Sequence, residues 1–230
     1  MHQSQTFRPK PNMSAAVRFA PVVNLMTGET VTLIAETEKR FEERAVFGRA
    51  ALSAERSQPA SPHAGPAAWL AAHVELVANE AHQSETHRPV IVPAPLAALM
   101  DPNTAMACDA AVRRTQLCAQ EICIEIADAA LALPTREAQT AVESLRRCGF
   151  RVSLDATRSW EASLSTAMRL LLDSIRIDAR HIDMEAGVDA RIEAATSCGM
   201  AVIAENANWR DGDYLASLGI ELGLRPRLDG

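Results

Sequence analysis

Apolar residues along this chain fall into short runs separated by stretches in which they recur every three or four positions. That alternation predicts strands and helices in turn. The first ordered segment expected is 17–33. Val17-Arg-Phe-Ala-Pro-Val-Val reads as a strand, Thr27-Gly28-Glu29 as a turn, and Thr30-Val-Thr-Leu-Ile as the returning strand of a hairpin. Residues 36–50 are charged and expected to be helical in part, and the breaker-rich run 57–66 reads as a loop. A helix is predicted over 67–82, where Trp69, Leu70, His73, Val74 and Val77 share a face.

From residue 90 the pattern becomes regular. Strands are predicted at 90–92, 122–126, 150–155, 174–178 and 200–205, with helices at 103–118, 135–148, 161–172, 186–198 and 211–218 between and after them. Ala138, Val142 and Leu145 mark the buried face of one helix. Gly149 and Gly199 stand where helices should end, so helix–Cys148-Gly149–strand–Asp155 and helix–Cys198-Gly199–strand–Glu205 read as echoes of one unit. Helices alternating with short buried strands argue for a parallel sheet. A (β/α) barrel and an open doubly wound sheet both fit the repeat. No GxGxxG or GxxxxGK[ST] loop follows any strand, which favours the barrel. Residues 1–16, polar and without an apolar stretch, are expected to form a disordered tail ahead of a single domain, 17–230.

Composition narrows the function classes. The chain is 48% hydrophobic and 23% charged, which rules out a mainly disordered protein, and only 4% aromatic, so its core must be aliphatic. Its net charge of −6 with scattered Lys and Arg argues against nucleic acid as a partner. No apolar run approaches the ~20 residues of a membrane helix. Five cysteines without a CxxC pair point to a reduced, cytoplasmic protein.

The candidate chemistry lies in acids at strand ends. In a barrel, Glu125, Asp155, Asp178 and Glu205 would converge on the carboxyl-terminal rim from four successive strands. Converging carboxylates need positive charge among them. One solution is a divalent cation, or two ~3.5–4 Å apart that would cleave a phosphodiester. The other is pairing with local bases, for which Arg151, Arg158, Arg176 and Arg180 are at hand.

The order and spacing of these segments resemble the EAL domain family, phosphodiesterases that hydrolyse cyclic di-GMP on a modified TIM-like (β/α)8 barrel opening with an antiparallel hairpin. Phe19-Ala-Pro-Val-Val-Asn-Leu-Met-Thr-Gly-Glu29 resembles the family's opening hairpin. Ile124-Glu-Ile-Ala-Asp128 resembles its EITE strand, and Val152-Ser-Leu-Asp155 the strand before its DDFG loop. Ile175-Arg-Ile-Asp178 resembles KID, and Val202-Ile-Ala-Glu205 the AEGVE strand.

The departures from the family pattern are as informative. The signature Glu-Ala-Leu falls on Ile34-Ala35-Glu36, so the first metal-binding glutamate is Ile34, with Glu36 two residues along on the same strand face. The arginine that holds a substrate phosphate falls on Glu38, and the metal-binding asparagine on Val92 or Pro93. Asp155 is kept, but the second aspartate of DDFG is Ala156. The catalytic lysine is Arg176, which keeps the charge but stays protonated. Glu205 survives of AEGVE, and the late glutamine falls near Leu222.

A hard divalent ion takes about six oxygens, and the remnants Glu125, Asp155, Arg176, Asp178 and Glu205 do not supply two such sites. The resemblance therefore implies a degenerate EAL barrel, a pseudoenzyme with no metal cofactor. Its expected role is regulatory, through protein–protein interaction in cyclic di-GMP-related signalling. The alternative is a non-hydrolysing cyclic di-GMP receptor, with Arg158, Trp160 and Trp209 on rim loops as candidates for gripping ligand or partner; an active phosphodiesterase ranks last. His73 and His181 are read as structural, Ser163 and Ser165 as helix residues, and homodimerisation as a family habit.

Overall fold

The computed structural model describes residues 17–36, 65–84, 89–133, 135–160 and 162–224. The expected tail 1–16, Glu38 with the rest of the charged run, and residues 57–64 of the breaker-rich loop lie outside the described residues.

Eight strands close into a barrel in chain order: β1 (Arg18–Asn24), β2 (Thr30–Glu36), β3 (Val90–Ala94), β4 (Ile122–Ala127), β5 (Arg151–Ala156), β6 (Ser174–Asp178), β7 (Ala201–Glu205) and β8 (Leu222–Leu224). β1 runs antiparallel to both its neighbours, β2 and β8, while every other pairing is parallel. This is the mixed barrel expected of the EAL pattern, and it settles the choice against an open sheet. The β1–β2 hairpin turns where expected. The Asn24 side chain accepts from the backbone N–H of Met26 and Thr27 at 2.9 and 3.0 Å, and Gly28 takes φ +73°, a conformation costly for a residue with a Cβ.

Around the barrel lie helices α1 (Pro66–Gln83), α2 (Leu96–Leu99), α3 (Thr104–Val112), α4 (Thr135–Arg147), α5 (Thr166–Arg169), α6 (Ala186–Ser197) and α7 (Gly212–Ser217). Outward strand residues such as Ile122, Ile124, Ile126, Val152, Leu154, Ile175, Ile177 and Val202 pack against Leu70, Val74 and Val77 of α1, Val142 and Leu145 of α4, and Val188 of α6. The core is aliphatic, with Phe150 its largest fully buried side chain.

Three helix ends repeat one device. After α4, α6 and α7 the chain passes through Gly149, Gly199 and Gly219, all at positive φ. The next residue then donates its N–H five residues back: Phe150 to Leu145, Met200 to Ala195, Ile220 to Leu215, at 2.9–3.2 Å. Each of Phe150, Met200 and Ile220 is buried, so the capped turn drops an apolar side chain into the core and aims the chain into the next strand.

Two helices are shorter than the periodicity predicts. The helix expected over 103–118 ends at Val112, because the Thr115 hydroxyl donates to the Val112 carbonyl and accepts from Leu117 N–H, offering the backbone a turn instead. The helix expected over 161–172 is one turn, α5, capped by Ser165, whose side chain accepts from Met168 N–H. The strand predicted at 90–92 continues to Ala94 through Pro93. Its pairing with β2 stops at Ile91, before the proline. Among the described residues, no helix is long and apolar enough to cross a membrane.

Candidate functional site

Strand alternation decides what enters the barrel lumen. On β6, Ile175 and Ile177 face the helices, which leaves Ser174, Arg176 and Asp178 for the inside. Across the lumen floor, Val22, Ile34, Ile91, Cys123 and Ile203 form a separate apolar cluster with Leu222 and Leu224 packed on it. Beside it, Ser174 donates its hydroxyl to Ser153 Oγ at 2.9 Å.

This parity sorts the positions where the family pattern has lost a polar group. Ile34 and Leu222 do present carbon to the lumen. Val92 does not: its side chain is fully buried in the helix-facing core, as is that of Ala156. The residue of β3 in register with Glu125 is Pro93. Of the two positions considered for the lost asparagine, Pro93 is therefore the one that faces the acids. Glu36 shares the strand face of Ile34 one step nearer the rim and is half-buried.

Above the floor, one side chain organises the mouth. The Arg176 guanidinium donates from Nε and Nη2 to the two oxygens of Glu125, at 2.9 and 2.8 Å. Nη2 also reaches Asp155 Oδ2 at 2.8 Å, and Nη1 reaches Glu205 Oε2 at 2.7 Å. Four strands, β4 to β7, are thereby tied through one cation. Arg176 is 9% exposed and Glu125 2%. Burial works against the arginine's charge, but Glu125, Asp155 and Glu205 outweigh it and hold its pKa above the ordinary value. Burial pushes the Glu125 carboxyl up, against the pull of Arg176. Three carboxylates against one guanidinium leave the cluster two negative charges in excess.

Asp178 departs from the expected convergence. It is gripped by Arg180, whose Nε lies 3.0 Å from Oδ1 and Nη2 2.6 Å from Oδ2, and it accepts from Asn206 Nδ2 at 3.1 Å. Burial opposes its charge, yet these bonds prevail and hold its carboxyl below the usual range. Asn206 adopts φ +56° in making the contact, which joins the loops after β6 and β7.

The rim candidates are dispersed. Arg158 is exposed in the loop after β5. Trp160 is half-buried, packs against the helix-facing core and tilts over His181, with ring centroids 4.9 Å apart. A Cβ added to Gly187 would clash with Trp160 Cδ1, so α6 begins under the indole with glycine there. Gly187→Ala should cost about 1–3 kcal/mol by overpacking against a rigid ring, read as a lowered urea midpoint at constant slope. Unchanged stability would mean that the indole is not seated there. Trp209 opens the short 3₁₀ turn Trp209–Asp211, where Asn208 accepts from Arg210 N–H at 3.2 Å.

Sequence reasoning missed the pair Asp128–Arg191. Both are buried, with Arg191 Nε and Nη2 each 2.9 Å from Asp128 Oδ1 and Nη2 also donating to the Ala162 carbonyl. The signal was available: Arg191 falls between Val188 and Ile192 and Ala195 on the buried face of α6. Two buried thiols are held protonated rather than activated. Burial pushes Cys108 to about 12 and Cys123 well above its ordinary value.

As a test of fit to divalent ions, the donor set is poor. Ile34 and Leu222 present carbon on the lumen floor and Pro93 stands in register with Glu125, while the three converging acids spend oxygens on a guanidinium. Among the described residues, no group of three or more His, Cys, Asp or Glu side chains could hold a metal.

Comparison with known proteins gives a consistent picture. The EAL domain family model matches residues 12–222. Among solved structures, the chain is similar to the phosphodiesterase PaMucR in its c-di-GMP complex, at 14% identity and TM-score 0.65 over 90% of this chain and 87% of that one. It is similar to the EAL domain of Mycobacterium smegmatis DcpA, at 16% identity and TM-score 0.62 over 90% and 88%. Klebsiella pneumoniae BlrP1, in a manganese and cy-diGMP complex, aligns at 17% identity and TM-score 0.67 over 94% of this chain and 56% of that one. At such identities these likenesses show the fold. No curated protein matches the sequence.

Proposed function

The chain belongs to the EAL domain family, and we propose that it works there as a non-hydrolysing regulatory barrel, acting through a protein partner in cyclic di-GMP-related signalling. The observation that carries this reading is Arg176. Where metal-assisted hydrolysis needs carboxylates open to cations and a group able to exchange a proton, a permanently charged guanidinium binds all three acids. The donor set does not fit two divalent ions, so no hydrolytic step is derived through them. Five free cysteines support the cytoplasmic, reducing compartment expected from the sequence.

A second reading, a receptor that binds cyclic di-GMP without cutting it, is favoured by the ligand in the PaMucR and BlrP1 structures. Charge argues against it. A dinucleotide with two phosphate charges would approach a cluster already two negative charges in excess, and like charges in a low-dielectric mouth repel strongly. A protein surface bearing a cation or apolar side chains suits that mouth better.

The test is direct. Purified full-length chain incubated with cyclic di-GMP and Mg²⁺ or Mn²⁺ should release no linear dinucleotide above a protein-free control. Titration calorimetry with the same nucleotide should give no binding heat. Metal-dependent turnover would overturn the reading, and micromolar binding without turnover would replace it with the receptor.

A further inference from the structure

Large apolar side chains left in solvent are scattered over this molecule, as over most proteins, but two of them are brought together by a hydrogen bond. Met184, in the loop between β6 and α6, is 76% exposed, more than any other large apolar side chain among the described residues, and Tyr214 on α7 is 43% exposed. The Tyr214 hydroxyl donates to Asp183 Oδ2, which joins α7 to the residue next to Met184. The loop is braced where it makes this contact. Asp183 takes φ +61°, a conformation that residues with a Cβ seldom adopt, and its N–H donates to Asp189 Oδ1 at 3.2 Å. Arg180 and Asn206 both donate to Asp178, fastening the same loop to the one after β7. Met184 and Tyr214 therefore stand on a fixed surface beside the barrel mouth.

The surroundings of this pair are acidic. Asp183, Glu185 and Asp189 flank Met184, and Asp211 and Asp213 precede Tyr214, all five of them exposed. The arginines on the same segments are Arg210 and Arg180, and Arg180 is committed to Asp178. We propose that the face made by the β6–α6 loop and α7 is the docking surface for a protein partner that presents an apolar side chain surrounded by lysine or arginine. Methionine and tyrosine are enriched where interfaces bury apolar area, and charges around them select a partner of opposite sign and speed its encounter. A second copy of this chain suits the face poorly, because a twofold contact would set the same five acids against one another. The inference rests on the protein-partner reading proposed above and gives that partner a place and a chemistry. Its experiment reads peptide binding rather than nucleotide turnover or heat, so it can fail while the chain still neither binds nor cuts cyclic di-GMP.

The probe is a short, fluorescently labelled amphipathic peptide of leucine and lysine, with a leucine–glutamate peptide of the same length as control. Fluorescence anisotropy on the full chain should show saturable binding of the first and none of the second, and the binding should weaken as NaCl is raised. M184S/Y214S should weaken it about tenfold, as loss of two central interface side chains does. M184S alone, which breaks no hydrogen bond, covers the case in which the double variant does not fold, and it should weaken binding several-fold. E185Q/D213N should lower the affinity and flatten its salt dependence. L170S and M106S remove side chains that are 74% and 71% exposed on other helices, and should leave the affinity unchanged. The proposal falls if the leucine–lysine peptide does not bind, if M184S binds it as wild type does, or if L170S or M106S weakens it as much. It falls equally if the leucine–glutamate peptide binds as well, or if sedimentation shows a dimer that M184S disperses, for then a second copy holds the face.

Discussion

Replacing Asp128 with alanine should lower the stability of the fold by about 3–5 kcal/mol, the cost of stranding a buried cation. Arg191 is 4% exposed and Asp128 1%, so neither charge has recourse to water. Without Asp128, the guanidinium keeps only the Ala162 carbonyl among the bonds it makes here, a neutral acceptor. Asp128→Asn should cost less, because the amide oxygen still accepts from the guanidinium although the charge is gone. The double change D128L/R191L should recover most of the loss, since a buried pair replaced by hydrocarbon is close to neutral. Urea unfolding of wild type and the three variants measures these differences. A D128A cost under about 1 kcal/mol would mean that Arg191 turns out to solvent, and the assignment of the pair as a buried clamp would fail. The pair links the end of β4 to α6 and to the chain at Ala162, so its loss should also loosen the segment between β5 and α5.

Arg191 shows where the sequence was opaque. An arginine on the apolar face of a helix is visible as a mismatch, but its partner lies sixty-three residues away and on another layer. Only the barrel's closure brings α6 over the end of β4. The same limit explains Asp178. Its position at a strand end resembles that of Asp155 and Glu205, yet a base two residues on in the chain, Arg180, can fold back onto it and does so with three bonds. Local geometry won over convergence. Arg176 lacks that option: it is inside a strand, its side chain points into the lumen, and among the described residues its partners there are the acids of β4, β5 and β7.

What was legible followed from short-range rules. Alternation on β6 separates isoleucines from charged residues, glycine after a helix marks a capped turn, and Gly28 between two β-rich runs marks a hairpin. Each is decided within a few residues. Parity between strands is not, which is why Val92 and Pro93 could not be told apart until β3 was set in register with β4. The triple leucine at 170–172 illustrates the remaining failure. It reads as helix, but the chain there must leave α5 and reach β6, and Asp173 instead accepts from Val152 N–H and from Arg146 across the sheet edge.

Acidification between pH 6.5 and 4 should destabilise the protein through His73. Its Nε2 atom is buried and has no hydrogen-bond partner among the described residues, and the ring stacks on Trp69 with centroids 5.4 Å apart at 13°. Burial lowers its pKa from 6.5 to about 4. In the unfolded chain the imidazole takes up its proton near 6.5, whereas in the fold it resists until about 4. The unfolded state therefore binds more protons across this interval. The stabilisation is fully present above pH 6.5 and drains away as pH falls towards the folded value. The shift corresponds to about 3 kcal/mol over the whole window. Carboxylates begin to titrate in the lower part, so the interval from 6.5 to 5 isolates the histidine, with roughly 2 kcal/mol of the loss expected there. H73F keeps a ring on Trp69 and removes the titrating nitrogen, so it should flatten the stability curve over that interval. At pH 7 it should be at least as stable as wild type, because an unpaired polar atom leaves the interior. A wild-type curve already flat between 6.5 and 5, or an imidazole found by NMR to titrate near 6.5 in the folded protein, would show that solvent reaches the ring.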